Sequence, residues 1–177
     1  MTRAQLEHVI RAAAAVSDDR EIVVIGSQAV LGQFPDAPPE MLVSMEVDVF
    51  PRHHPERAGL IEGSIGELSP FHESFGYYAE GVSPQTAKLP VGWEERLVPV
   101  PVGDVRGLCL EINDLVLSKW AAGREKDGHF ARVAVQHRMV ERSTLLDRVQ
   151  TMPLEPDHVS RLRQAITAAN WSRPDRP

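Results

Sequence analysis

Two carboxylates one residue apart, Glu46 and Asp48, lie inside the run Val43-Ser-Met-Glu-Val-Asp-Val-Phe50. Alternate side chains of an extended strand share a face, so both acids project together while Val47 and Val49 point the other way. Like charges held side by side on a largely buried strand repel and lose hydration, at a cost on the order of several kcal/mol unless a cation offsets it. A divalent ion is an economical compensator, and Mg²⁺ takes one or two protein carboxylates together with phosphate oxygens. The same pair also fits an edge strand that leaves its acids in water.

Twenty residues upstream of Glu46, Gly26-Ser27 follows the apolar run Glu21-Ile-Val-Val-Ile25. Glycine lets a backbone approach a ligand closely, and a following helix start and a serine hydroxyl can donate to phosphate. Gly-Ser is equally ordinary turn and N-cap chemistry. A third segment, Leu117-Ser-Lys-Trp-Ala-Ala-Gly-Arg-Glu-Lys-Asp127, sets Lys119, Arg124 and Lys126 among apolar residues and the acids Glu125 and Asp127. A lysine in such a setting either snorkels or turns toward a polyphosphate. Arg124 and Asp127 alone read most simply as a surface ion pair at i,i+3.

Several other chemistries are absent. Seven histidines include adjacent His53-His54, but no His-x-x-x-His or Cys-x-x-Cys spacing that would suggest zinc. Cys109, between Leu108 and Leu110, reads as inert packing. There is no Gly-x-Ser-x-Gly and no Walker loop. Trp93, Trp120 and Trp171 are isolated and read as core or rim residues.

The elements that must position these groups follow from periodicity. Gln5 to Val16, with Leu6, Val9, Ile10 and Ala13 at helical spacing, predicts a first helix. Glu21 to Ile25 predicts a buried strand, Gly26 a turn and Ser27 the start of a helix. The prolines of Phe34 to Glu40 impose a loop. Val43 to Phe50 predicts the acid-bearing strand, residues 51 to 68 a loop with a helix from near Pro55, and Gly76 to Val82, Arg96 to Val102 and Gly107 to Ile112 further strands of a mixed sheet. From Asn113 the period becomes helical: Asn113 to Ala122, Glu125 to Met139, Ser143 to Gln150 and Asp157 to Asn170. Glu111 reads as a strand-end carboxylate or as a helix-start residue with Asn113 as N-cap. Ser172 to Pro177 read as a frayed tail. The fold expected is thus α/β (α+β): a mixed sheet with flanking helices in residues 1–112, and a helical part in residues 113–177 packed on it as one compact unit.

A chain of 177 residues with 42% apolar content can bury a core without staples. One cysteine excludes an internal disulfide framework, and no apolar run approaches the roughly 20 residues of a membrane span, so a reducing, cytoplasmic setting with no membrane partner is the expectation. Net charge is −6 but unevenly spread: residues 1–118 carry 8 Lys+Arg against 18 Asp+Glu, a balance of −10, whereas residues 119–177 carry 11 against 7, a balance of +4. Two solvated faces would explain this. So would an acidic metal-holding half joined to one that meets phosphate or RNA.

Taken in order, a strand, Gly26-Ser27, a helix, a loop, a strand with Glu46-x-Asp48, more strands and a helical segment with Lys119 and Asp127 resemble the nucleotidyltransferase superfamily. The fuller pattern Lys119-Trp-Ala-Ala-Gly-Arg124-Glu-Lys-Asp127 is similar to the AbiEii-type abortive-infection toxins, over about residues 20 to 130. The resemblance implies that Gly26 and Ser27 hold a triphosphate, that Glu46 and Asp48 bind Mg²⁺ or Mn²⁺, that Lys119 and Arg124 contact the nucleotide, and that Asp127 completes the acidic site. Glu111 is the competing third acid. It implies transfer of a nucleoside monophosphate from an NTP to an acceptor such as tRNA, in a toxin with a cognate antitoxin. Glu46 stands where aspartate is commoner, and the gap from Gly26 to Asp48 is longer than in minimal members. A non-catalytic binding relative and an antibiotic-modifying small-molecule enzyme are the alternatives. Gly26, Ser27, Glu46, Asp48 and Lys119 are expected to converge on one cleft, and Arg132, Arg138, Arg142 and Arg148 to form a basic face.

Overall fold

The change of period near residue 112 coincides with a division of the chain, in the computed structural model, into a sheet-bearing unit (Met1–Thr86 with Arg96–Glu111) and a helical unit (Ala87–Glu95 with Ile112–Pro177). The structure describes residues 1–171, and the tail from Ser172 to Pro177 lies outside the described residues. Among the described residues, no helix is long and apolar enough to cross a membrane.

Helix α1 (Arg3–Ser17) begins at a capping box, in which the Thr2 hydroxyl accepts from Gln5 N–H and the Gln5 side chain accepts from Thr2 N–H. It buries Leu6, Val9, Ile10 and Ala13, the expected stripe. Strands β1 (Glu21–Val24), β2 (Glu46–Pro51), β3 (Tyr78–Gly81), β4 (Val98–Val102) and β5 (Val105–Cys109) form a sheet of order β3-β2-β1-β5-β4. Pairing is antiparallel for β1/β2 and β4/β5 and parallel for β1/β5 and β2/β3. The mixed sheet with flanking helices is therefore the fold that the periodicities predict.

Helices α1 and α2 (Ala58–Ile65) press on one face of this sheet, and two glycines show how closely. A Cβ on Gly107 would stand 2.5 Å from Ile10 Cδ1, and one on Gly81 would stand 2.0 Å from the Ala58 carbonyl oxygen. Val47, Val49 and Ala79 are fully buried on that side. Each buried valine contributes about 1.5–3 kcal/mol relative to exposure. Alternation then sends Glu46, Asp48, Tyr78 and Glu80 to the opposite face.

Three local expectations need correction, and one helix is additional. The segment after Gly26 is a 3₁₀ helix, Ser27–Gly32, in which Gln28, Ala29, Val30 and Leu31 are all buried. Four successive buried residues have no solvent side for an amphipathic α-helix to expose. Strand β2 starts at Glu46, not Val43, because the Ser44 hydroxyl accepts from Glu46 N–H, the Ser44 carbonyl accepts from the Gln28 amide, and Val43 is 79% exposed. Helix α3 (Pro70–Phe75), between the expected helix and the expected strand, has Ser69 as N-cap, Pro70 in the first turn and Gly76 at φ 74° as its stop. Ile112 and Asn113 belong to the next helix, and Asn113 is not an N-cap.

That next helix, α4 (Ile112–Ala122), precedes α5 (Glu125–Gln136), α6 (Arg142–Arg148) and α7 (Pro156–Ala168). Gly123, at φ 69°, ends α4. Leu115, Phe130, Ala134, Leu145, Leu162 and Ile166 are buried in this helical unit. The Asn113 side-chain oxygen accepts from Glu141 N–H at 2.9 Å, tying α4 to the start of α6.

Candidate active site

The turn after β1 and the start of β2 meet because the ladder continues one bond past the strand: Ile25 N–H donates to the Asp48 carbonyl at 3.1 Å. This sets Gly26 against the Asp48 side chain. A Cβ at Gly26 would lie 1.6 Å from Asp48 Oδ2 and 2.6 Å from its Cγ, so no other residue fits while the carboxylate stays where it is. The φ of Gly26 is −81°, within reach of any residue. Close approach, and not backbone freedom, is what requires glycine here. Ser27 follows, half-buried, at the start of the 3₁₀ helix.

Strand β3 runs parallel to β2 with Glu46 opposite Tyr78 and Asp48 opposite Glu80. This register brings a third acid to the pair. One oxygen from each of Glu46, Asp48 and Glu80 lies within 4.8 Å of the others, and all three residues are half-buried. Burial, then the charge and hydrogen bond of Glu46 and the charge of Asp48, push the Glu80 carboxyl up to about 7. The Tyr78 hydroxyl donates to Glu46 Oε2 at 3.2 Å. Burial and the neighbouring Glu46 push that phenol up to about 12, so it remains a donor.

An all-oxygen set of three carboxylates suits a hard divalent cation such as Mg²⁺ or Mn²⁺. The missing side chain of Gly26 is what lets the Asp48 carboxylate lie against the turn. Among the described residues no other group of three His, Cys, Asp or Glu side chains is arranged to share a metal. His53 instead binds the buried Asp19, whose carboxylate accepts from both its backbone N–H and Nδ1, and burial pushes the Cys109 thiol up to about 12.

Glu80 is the functional candidate that the sequence reading missed. Its signal was the alternation Tyr78-Ala-Glu80, which gives it the face of Tyr78, but strand neighbours are not written in chain order. Glu111 sits half-buried just past β5, where Leu110 N–H donates to the Val24 carbonyl.

The remaining residues of the sequence pattern are gathered within the helical unit. Asp127, 2% exposed, accepts from Arg124 Nε at 2.6 Å and pairs with Lys119 Nζ at 3.3 Å. Burial raises its carboxyl, but the Arg124 hydrogen bond and the Lys119 charge outweigh this and hold it below the usual range. The i,i+3 pair read from the sequence is therefore present, with its acid buried instead of on the surface. Lys119 Nζ also lies 5.9 Å from the Phe130 ring centroid. Arg148 is tied to the fully buried Asp114 at 2.9 Å, which removes it from the proposed basic face, whereas Arg132, Arg138 and Arg142 are exposed.

A family model described as "Nucleotidyltransferase of unknown function (DUF6036)" matches residues 4–164. The match covers most of the chain, and the protein belongs to that family, within the nucleotidyltransferase superfamily. No curated protein and no solved structure matches the chain.

Proposed function

We propose that the protein is a metal-dependent nucleotidyltransferase that moves a nucleoside monophosphate from an NTP to an acceptor hydroxyl. The observation that carries this is the convergence of Glu46, Asp48 and Glu80 within 4.8 Å beside the Gly26-Ser27 turn, in a member of a nucleotidyltransferase family. The hydroxyl oxygen bonds to the α-phosphorus, the bond to the bridging oxygen breaks, and pyrophosphate leaves while the hydroxyl proton passes to solvent. Glu46, Asp48 and Glu80 would hold Mg²⁺ or Mn²⁺, which when bound supplies a Lewis acid and charge neutralisation for phosphoryl chemistry. Gly26 lets the Asp48 carboxylate lie against the turn, and the Ser27 hydroxyl would donate to a phosphate of the NTP. In the helical unit Asp127 orders the cations Lys119 and Arg124, which suit a nucleotide's phosphates.

We assign RNA, the acceptor end of tRNA in particular, as the acceptor, and the toxin of a toxin–antitoxin pair in a reducing cytoplasm as the setting. The AbiEii-like Lys119-to-Asp127 pattern, the +4 balance of residues 119–177 and the exposed Arg132, Arg138 and Arg142 support this reading. Each of the four NTPs, labelled at the α-phosphate, is incubated with the protein, Mg²⁺ and either total tRNA or an aminoglycoside. Label on tRNA is the expected result. Label on the aminoglycoside alone overturns the RNA assignment, and no transfer to either with any NTP overturns the enzyme.

A further inference from the structure

An aspartate at position 46 would reach the site through one rotatable bond fewer than the glutamate present. The longer side chain must lose more rotamer freedom before its carboxylate stands in one place. Tyr78 lies directly across the parallel ladder from Glu46, and its hydroxyl donates to Glu46 Oε2 at 3.2 Å. The tyrosine is itself fixed: its ring packs against the His72 ring with centroids 4.6 Å apart, and His72 Nδ1 accepts from Leu68 N–H at 3.1 Å. His72 sits on α3, the short helix capped by Ser69 and Gly76. The chain Leu68, His72, Tyr78, Glu46 therefore ends on one oxygen of a carboxylate in the acidic cluster.

We infer that Tyr78 is a positioning residue of the metal site, whose hydroxyl holds the longer Glu46 side chain where Asp48 and Glu80 meet it. This rests on the metal-site reading above. It accounts for how a glutamate serves at a position where the acid pair would otherwise be short and stiff, and it gives α3 a part in the site although α3 bears no acid of the cluster. Partners that orient metal ligands typically contribute ten- to hundredfold to metal affinity.

Mn²⁺ alone, titrated by electron paramagnetic resonance, tests this on the full chain in four forms: wild type, Tyr78→Phe, Glu46→Asp and the double variant. Tyr78→Phe keeps the ring and removes only the hydroxyl, and it should weaken Mn²⁺ binding about tenfold with an unchanged circular dichroism spectrum. In the Glu46→Asp background the shorter carboxylate no longer reaches the hydroxyl, so the same change should alter affinity less than about twofold, the signature of coupling. A purely structural tyrosine would cost the same in both backgrounds, and that result overturns the role. So does wild-type affinity in Tyr78→Phe. Failure of the wild type to bind Mn²⁺ would overturn the metal site itself, an outcome distinct from a site that binds metal without needing Tyr78.

Discussion

The sheet-bearing unit and the helical unit each gather three ionisable groups, and they do so with opposite electrostatics. On β2 and β3 the acids are alike: Glu46, Asp48 and Glu80, where burial together with the neighbouring Glu46 and Asp48 makes Glu80 keep its proton to about pH 7. On α4 and α5 they are opposite: Asp127 between Lys119 and Arg124, with its carboxyl held below the usual range. In a buried pair of opposite charges each partner compensates the other's lost hydration, so removing one is costly. A set of like charges lowers its energy by taking up a proton or a cation. In the proposed function, the Asp127 cluster serves the fold and the β2–β3 acids serve a ligand.

Breaking the helical cluster should have the largest effect on stability and none on metal binding. Asp127→Asn leaves Lys119 buried without its counter-charge and should cost roughly 3 kcal/mol in urea unfolding, while the folded variant binds Mn²⁺ as the wild type does. Gly26→Val should do the reverse. Its Cβ cannot coexist with Asp48 Oδ2 where it stands, so Mn²⁺ affinity should fall about a hundredfold, with a smaller loss of stability.

A pH series sharpens the contrast. A raised carboxyl stabilises the folded state by holding a proton; for Glu80 that contribution is present below its ordinary value of 4.5 and is lost as pH rises through about 7. Asp127 is depressed, so its contribution is present above 3.8 and is lost as pH falls through its lowered value. Between pH 5 and 8 the melting temperature of the wild type should therefore fall relative to Glu80→Gln, and Mn²⁺ at pH 8 should close the gap. A parallel pH dependence in the two proteins would remove the like-charge account. The smallest effect belongs to Gly63→Ala on α2, whose added methyl meets nothing within 4 Å and should stabilise by about 0.5–1 kcal/mol without altering metal affinity.

Much of this contrast was legible in the residues. The helical stripe of α1, the run ending at Gly26 and the acid-x-acid alternation are local patterns, and each survives in the structure because burial on one face enforces it. Glu80 was not legible as the third acid. Its place depends on β3 lying parallel beside β2, a pairing between residues over thirty apart that no local signal encodes. Burial of Asp127 escaped for a related reason. Sequence spacing set it one helical turn from Arg124, but the approach of Lys119 across the α4–α5 turn decides that it is inside. Helix α3 is a different case, since Ser69-Pro70 and Gly76 marked both its ends.

In the proposed function, metal chemistry belongs to the β2–β3 acids. Mn²⁺ titration of Asp48→Asn beside Asp127→Asn, read by electron paramagnetic resonance at pH 8, tests it most directly. Asp48→Asn should lose most of its Mn²⁺ binding while Asp127→Asn retains wild-type affinity. Retention by Asp48→Asn with loss in Asp127→Asn would contradict it.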